Sequence, residues 1–140
     1  MTTYGSAVWK GGLKDGIGAI STKSGALKEH PYGFVARFEG GPGTNPEELI
    51  GAAHAGCFTM ALSKILGDAG FTATEMNTKA EITLAKDGDG FSITKSHLTL
   101  RAKIPGIDDA KCKELAGMAE KGCPVSKVLN AQISLDAALA

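Results

Sequence analysis

The sequence predicts an α+β fold in which helices cover antiparallel sheet, and three observations predict it. Turn signals at Asp15-Gly16 and at Asp87-Gly88-Asp89-Gly90 each lie between strand-like runs, the mark of hairpins rather than parallel crossovers. One long helical stretch, residues 46–69, stands between those two regions instead of alternating with single strands. The resulting order is β-β-β, long helix, β-β, helix, short helix, β, expected as one domain over residues 1–140.

The first strand is read from Tyr4, Val8 and Trp9 within residues 4–12, ending at a Gly-Gly pair that begins a turn. After Asp15-Gly16, the residues Ile17, Ala19, Ile20 and Thr22 supply the returning strand, and Ser24-Gly25 closes the unit. Tyr32 to Phe38, YGFVARF, alternates well enough to predict a third strand. Phe34, Ala36 and Phe38 then share one face, with Val35 and Arg37 on the other. The loop EGGPGTNP follows; it lacks the Lys-Ser/Thr of a phosphate-binding loop, so its glycines are turn residues.

The long helix has a readable start, body and stop. Asn45 is a good N-cap, Pro46 suits the first helical position, and Glu47 and Glu48 complement the positive end of the helix dipole. Gly70 can take the left-handed conformation that ends it. Between these signals Leu49, Ile50, Ala52, Ala53, Cys57, Phe58, Met60, Leu62, Ile65 and Leu66 leave almost no polar face, which predicts a buried helix. His54 interrupts the apolar run, which falls short of the roughly 20 residues of a membrane span.

Thr72 to Lys86 and Phe91 to Ile104 are rich in Thr and Ile and read as the second hairpin. Its apolar residues, Ile82, Leu84, Ile93, Leu98 and Leu100, follow period two only in part. Pro105-Gly106 breaks the strand, and Asp108 or Asp109 can cap a helix through Glu120 that turns Leu115, Met118 and Ala119 inward. Gly122 stops it, Pro124 opens a short helix over PVSKVL, and Ala131 to Leu139 finishes as a strand.

Fifteen basic and fifteen acidic residues cancel without forming blocks, which argues against a nucleic-acid partner. The N-terminus carries no apolar signal-peptide core, so the expected location is the cytoplasm. Three dispersed cysteines do not resemble a secreted disulfide framework. In a reducing compartment they are core thiols, metal ligands or redox groups.

Cys57 sits in the long helix, where a free cysteine can serve as packing or as a nucleophile. Cys123 occupies the expected N-cap before Pro124, where free amides favour a thiolate. Cys112 shares a helix face with Leu115 and Ala119 and reads as structural. His54 and Cys57 are three residues apart on one helix, a spacing that could grip a metal, but with Cys123 the set reaches only three of the four ligands of a closed zinc site. His54 therefore reads as a satisfied interior or interface histidine. Arg37, among Phe34, Val35 and Phe38, needs a partner, and Glu47 and Glu48 are nearby in sequence.

The wording of two segments says more than their statistics. PYGFVARFEGGPGTNPEELIGAAHAGCFTMALSKILGDAGF, with the later GCPVSKVLNAQISL, closely resembles the osmotically inducible protein C (OsmC) family, which sits with the organic hydroperoxide resistance proteins in one superfamily of thiol-dependent peroxidases. The arginine of YGFVARFEG, just upstream of the long helix, is similar to the osmotically inducible branch. The resemblance implies an OsmC-like fold in an intertwined homodimer with two sites at the subunit interface. It implies a peroxidatic role for Cys57, a resolving role for Cys123, and a positioning role for Arg37 and Glu47 around thiolate and peroxide. Organic, fatty-acid type hydroperoxides are the implied substrates and a lipoyl-type dithiol the implied reductant, in a stress response that calls for no cofactor and no membrane. An apolar pocket with Phe58 and Met60 in its wall is expected to favour organic substrates.

Glu47 and Cys57 are ten positions apart, about 15 Å along a straight helix, so they cannot meet within one. Glu47 must then serve the cysteine of another chain, unless the helix breaks. Gly51, Ala52, Ala55 and Gly56 are small enough to let helices approach. The alternative of a different class is a hydrophobic-ligand binding protein whose cysteines merely pack.

Overall fold

A computed structural model describes all 140 residues. They form two compact units, residues 1–49 and residues 50–140. The first contains β1 (Gly5–Lys10), β2 (Ile17–Thr22), β3 (His30–Tyr32) and α1 (Phe34–Phe38). Its three strands form an antiparallel sheet in sequence order, with Val8 opposite Ala19 and Gly18 opposite Tyr32. The Asp15-Gly16 hairpin is therefore as the sequence predicts, but the third strand is not. Only His30–Tyr32 is strand, and Phe34–Phe38 is a turn and a half of helix. A five-residue run with a phenylalanine at each end fits either period, and here the helical one brings the Phe34 and Phe38 rings together, 5.0 Å between centroids.

α2 (Pro46–Asp68) begins in the first unit and runs unbroken into the second. Its start is as expected: the Asn45 side chain accepts from the Glu48 amide at 2.8 Å. Gly70 has φ +85°, and the Phe71 amide returns to the Leu66 carbonyl, which closes the last turn. The expectation of a helix buried all round is corrected. Burial follows one stripe, Gly51, His54, Phe58, Leu62 and Leu66, while Ala52, Ala53, Gly56 and Met60 are exposed in the single chain. A Cβ on Gly51 would meet the Ala80 carbonyl at 3.0 Å, so this glycine serves the approach of the helix to its own sheet. At 23 residues α2 is long and apolar enough to cross a bilayer by length and composition. In this chain its stripe is instead a core face.

The second unit adds β4 (Glu75–Asp87), β5 (Gly90–Lys103), α3 (Asp109–Gly122), α4 (Pro124–Val128) and β6 (Gln132–Leu139). β4 and β5 pair antiparallel around the predicted turn. The register shifts at Thr83/Leu84, where Leu84 pairs with Ile93 after Thr83 pairs with Lys95, leaving Thr94 as a bulge. That bulge explains the imperfect alternation: it moves the inward positions from Ile93 to Ser96, Leu98, Leu100 and Ala102.

β6 pairs with β5 in parallel, which corrects the expectation of a wholly antiparallel sheet. The crossover through α3 and α4 permits that direction. α3 is capped by Asp108, whose carboxylate accepts from the Lys111 amide at 2.7 Å. Leu115 and Ala119 face inward as expected, whereas Met118 is exposed and Ala116 takes its place. Phe58, Leu62 and Leu66 of α2, Leu98 and Leu100 of β5, and Leu115 and Ala119 of α3 join in one core.

Candidate active site

The first unit builds a cationic corner. Helix α1 places Arg37 one residue before Phe38, with its guanidinium carbon 5.3 Å from the centre of that ring. Its Nη2 donates to Glu47 Oε1 at 2.6 Å, and its Nε lies 3.2 Å from both carboxylate oxygens. The partner of Arg37 is thus Glu47. Glu48 is engaged otherwise, accepting from the Thr44 hydroxyl at 3.0 Å. Glu47 is nearly buried, with 11% of its side chain exposed, while Arg37 keeps 37%. The carboxylate therefore fixes the fork from beneath and leaves part of it free for a ligand. Arg37 also lines a cavity of about 200 Å³ whose other walls include Trp9, Leu13, Tyr32, Phe34 and Phe38. The apolar wall expected from Phe58 and Met60 is not found. Phe58 is fully buried core, and Met60 stands 77% exposed beside an open groove with Thr59 and Met76.

The second unit brings Cys57 and Cys123 together. Both are free thiols, near enough that each affects the ionisation of the other. Cys123 is the N-cap of α4 as the sequence predicts, its sulfur accepting from the Ser126 amide at 3.4 Å and approached by the Ser126 hydroxyl at 3.5 Å. Cys112 does not join them; it is buried in α3, where burial and then the Asp109 charge push its thiol pKa up.

The two facing thiols are not equivalent. Burial pushes Cys123 up, but the amide and hydroxyl of Ser126, the Cys57 thiol and the Val125 amide outweigh it and hold Cys123 below the usual thiol range. Burial pushes Cys57 up as well. The Val125 amide opposes that rise, whereas the hydrogen bond and the charge of Cys123 add to it. No cation is among the groups acting on Cys57. Of the two, Cys123 is the thiol whose surroundings in this unit favour ionisation.

Sequence reasoning placed His54 correctly in the interior but gave it no connection. Its Nδ1 lies 2.7 Å from Ser96 Oγ on β5 and its Nε2 lies 2.7 Å from Ser126 Oγ. Both ring nitrogens are thereby occupied, which removes the metal-gripping arrangement considered for His54 and Cys57. Ser126 was missed altogether. Its signal was the spacing Cys123-Pro-Val-Ser126, a cap residue followed three positions on by a hydroxyl side chain.

The chain is similar to known proteins. Residues 39–138 match the model of the OsmC-like protein family. The chain is 54% identical over 132 residues to the peroxiredoxin OsmC of Escherichia coli strain K12, covering 94% of this chain and 92% of that protein. It is 31% identical over 102 residues to an organic hydroperoxide resistance protein of Xanthomonas axonopodis pv. citri, covering 72% and 70% of the two chains. The crystal structure of the organic hydroperoxide resistance protein OhrB of Bacillus subtilis superposes with a TM-score of 0.76 at 28% identity, covering 99% and 98%. With this match over most of its length, the chain belongs to the OsmC-like family and is a peroxidase.

Proposed function

We propose that the chain reduces organic hydroperoxides to alcohols through a sulfenic acid on Cys57 and a Cys57–Cys123 disulfide, and that a dithiol regenerates it. The observation that carries this reading is the proximity of the two free thiols, each of which affects the ionisation of the other. The Cys57 thiolate attacks the peroxide oxygen, the O–O bond breaks, and the departing alkoxide takes a proton to become the alcohol. Cys123 then displaces hydroxide from the oxidised sulfur, and thiol exchange with an external lipoyl-type dithiol restores both thiols.

Magnitudes decide which residues matter. A free cysteine of pKa about 8.5 is roughly 3% ionised at neutral pH, so complete ionisation gains no more than about thirtyfold. Most of the acceleration must come from aligning the O–O bond and stabilising the alkoxide, the task of Arg37. Its guanidinium, fixed by Glu47 and bordering the apolar cavity, suits a substrate with a hydrocarbon body and a polar head.

We place this cation at the Cys57 of a second copy in a cytoplasmic homodimer. Two observations support that assembly. α2 is continuous, and ten helical positions separate Glu47 from Cys57, about 15 Å along the axis. The Ala52, Ala53, Gly56 and Met60 face of α2 and every residue of β1 are exposed, with Val8 and Ile17 among the large apolar side chains left open.

The direct test is turnover of an organic hydroperoxide by the purified chain with a lipoyl-type dithiol. Sustained consumption is expected; a chain that binds the hydroperoxide without consuming it contradicts the reading and favours a hydrophobic-ligand carrier.

A further inference from the structure

The functional reading above leaves unexplained a buried histidine with a hydroxyl on each ring nitrogen, connected to the resolving sulfur. The connected atoms are Ser96 Oγ, the two nitrogens of His54, Ser126 Oγ and Cys123 Sγ, with separations of 2.7, 2.7 and 3.5 Å from one side chain to the next. His54 is fully buried, and burial lowers its pKa, so the resting ring is neutral. A neutral imidazole donates from one nitrogen and accepts at the other, so the ring has room for one further proton. When Cys123 is a thiol, it donates to Ser126, Ser126 donates to Nε2, and Nδ1–H donates to Ser96. When that proton has passed along the chain, Cys123 is a thiolate that accepts from the Ser126 hydroxyl, the ring carries a proton on both nitrogens, Nε2–H donates to Ser126, and Nδ1–H still donates to Ser96.

We propose that Ser126 and His54 are positioning residues that switch Cys123 between these two states, taking its proton when it must attack Cys57. The proposal rests on the reading of Cys123 as the resolving thiol. The catalytic cycle demands such a switch. Two adjacent thiols do not both ionise readily, so Cys123 must hold its proton while Cys57 is the nucleophile. Once Cys57 carries the sulfenic acid, Cys123 must lose that proton. The Cys123 proton passes to Ser126 as the Ser126 proton passes to Nε2 of His54. The S–S bond forms, the S–O bond of the sulfenic acid breaks, and the hydroxide that leaves is neutralised to water by the proton that His54 returns through the Ser126 hydroxyl. Sulfenic acid plus thiol thus give disulfide plus water. Burial raises the Cys123 pKa, and the Ser126 amide and hydroxyl, Cys57 and the Val125 amide lower it; of these, the Ser126 hydroxyl is the one that connects the sulfur to the buried ring.

The test follows Cys123 ionisation against pH by thiolate ultraviolet absorbance, in a Cys57→Ser background. Ser126 is half-buried on a short helix, so Ser126→Ala spares the core. Loss of the charge-assisted bond is expected to move the Cys123 midpoint up by about one pH unit, a roughly tenfold loss of thiolate, and Ser126→Thr restores it. With Cys57 present, His54→Gln keeps a donor to Ser126 but cannot accept a proton; it is expected to slow disulfide formation about tenfold after one equivalent of hydroperoxide. An unchanged Cys123 midpoint in Ser126→Ala, or disulfide formation at the wild-type rate in His54→Gln, overturns the proposal. Failure of the functional reading appears elsewhere, as a wild-type protein that forms no Cys57–Cys123 bridge.

Discussion

Replacing Cys57 by serine is expected to lower kcat/KM for organic hydroperoxides by roughly a thousandfold or more. The substituted hydroxyl is not ionised near neutral pH and cannot hold the oxidised intermediate, so both halves of the cycle are lost together. The effect is chemical rather than structural. Cys57 is only partly buried, and a serine there keeps a hydrogen-bonding partner for Cys123. Cys112→Ala is the matched control. Cys112 packs in α3 as part of the core, so its loss is expected to lower stability by about 1 kcal/mol while turnover stays at the wild-type level. Steady-state peroxide consumption checks both. Equal consumption by wild type and Cys57→Ser contradicts the role of Cys57.

Arg37→Met is expected to cost about a hundredfold in kcat if, as proposed, the guanidinium stabilises the developing alkoxide, since methionine removes the donor while preserving most of the side-chain volume. The same substitution also tests where the arginine acts. A Cys57→Ser chain and an Arg37→Met chain are each nearly inactive. If Arg37 and Glu47 of one subunit complete the cysteine site of the other, a mixed dimer regains one of its two sites. Co-expression in equal amounts then yields about a quarter of wild-type activity per chain, since half the dimers are mixed. If all the groups act within one chain, the mixture stays as inactive as its components. The complemented activity, measured against each variant alone, separates the two arrangements.

The parts of this fold legible in the sequence were those with local punctuation. Asn45, Gly70, Asp108 and the two glycine turns set element ends through their own backbone preferences, and the observed elements respect them. What escaped was decided by partners distant in sequence. Nothing local distinguishes YGFVARF as strand from helix, since its aromatic spacing suits both. The parallel direction of β6 depends on where α3 and α4 deliver the chain, and the exposed side of α2 cannot be read from composition when alanine and methionine are compatible with core and interface alike. The site divides the same way. Cys123 was recognisable as a cap from Pro124 beside it, and the Arg37–Glu47 pair from the need of a guanidinium in apolar surroundings for a counter-charge. The His54–Ser96 bond joins residues 42 positions apart, and the His54–Ser126 bond joins residues 72 apart. No sequence period reports such a contact.

The most direct measurement is the non-reducing peptide mass map of the protein after one equivalent of an organic hydroperoxide, with no reductant present. The expected result is a single bridge between the peptide carrying Cys57 and the peptide carrying Cys123, with Cys112 still a free thiol. A bridge that includes Cys112, or three free thiols after the hydroperoxide has been consumed, contradicts the two-cysteine mechanism.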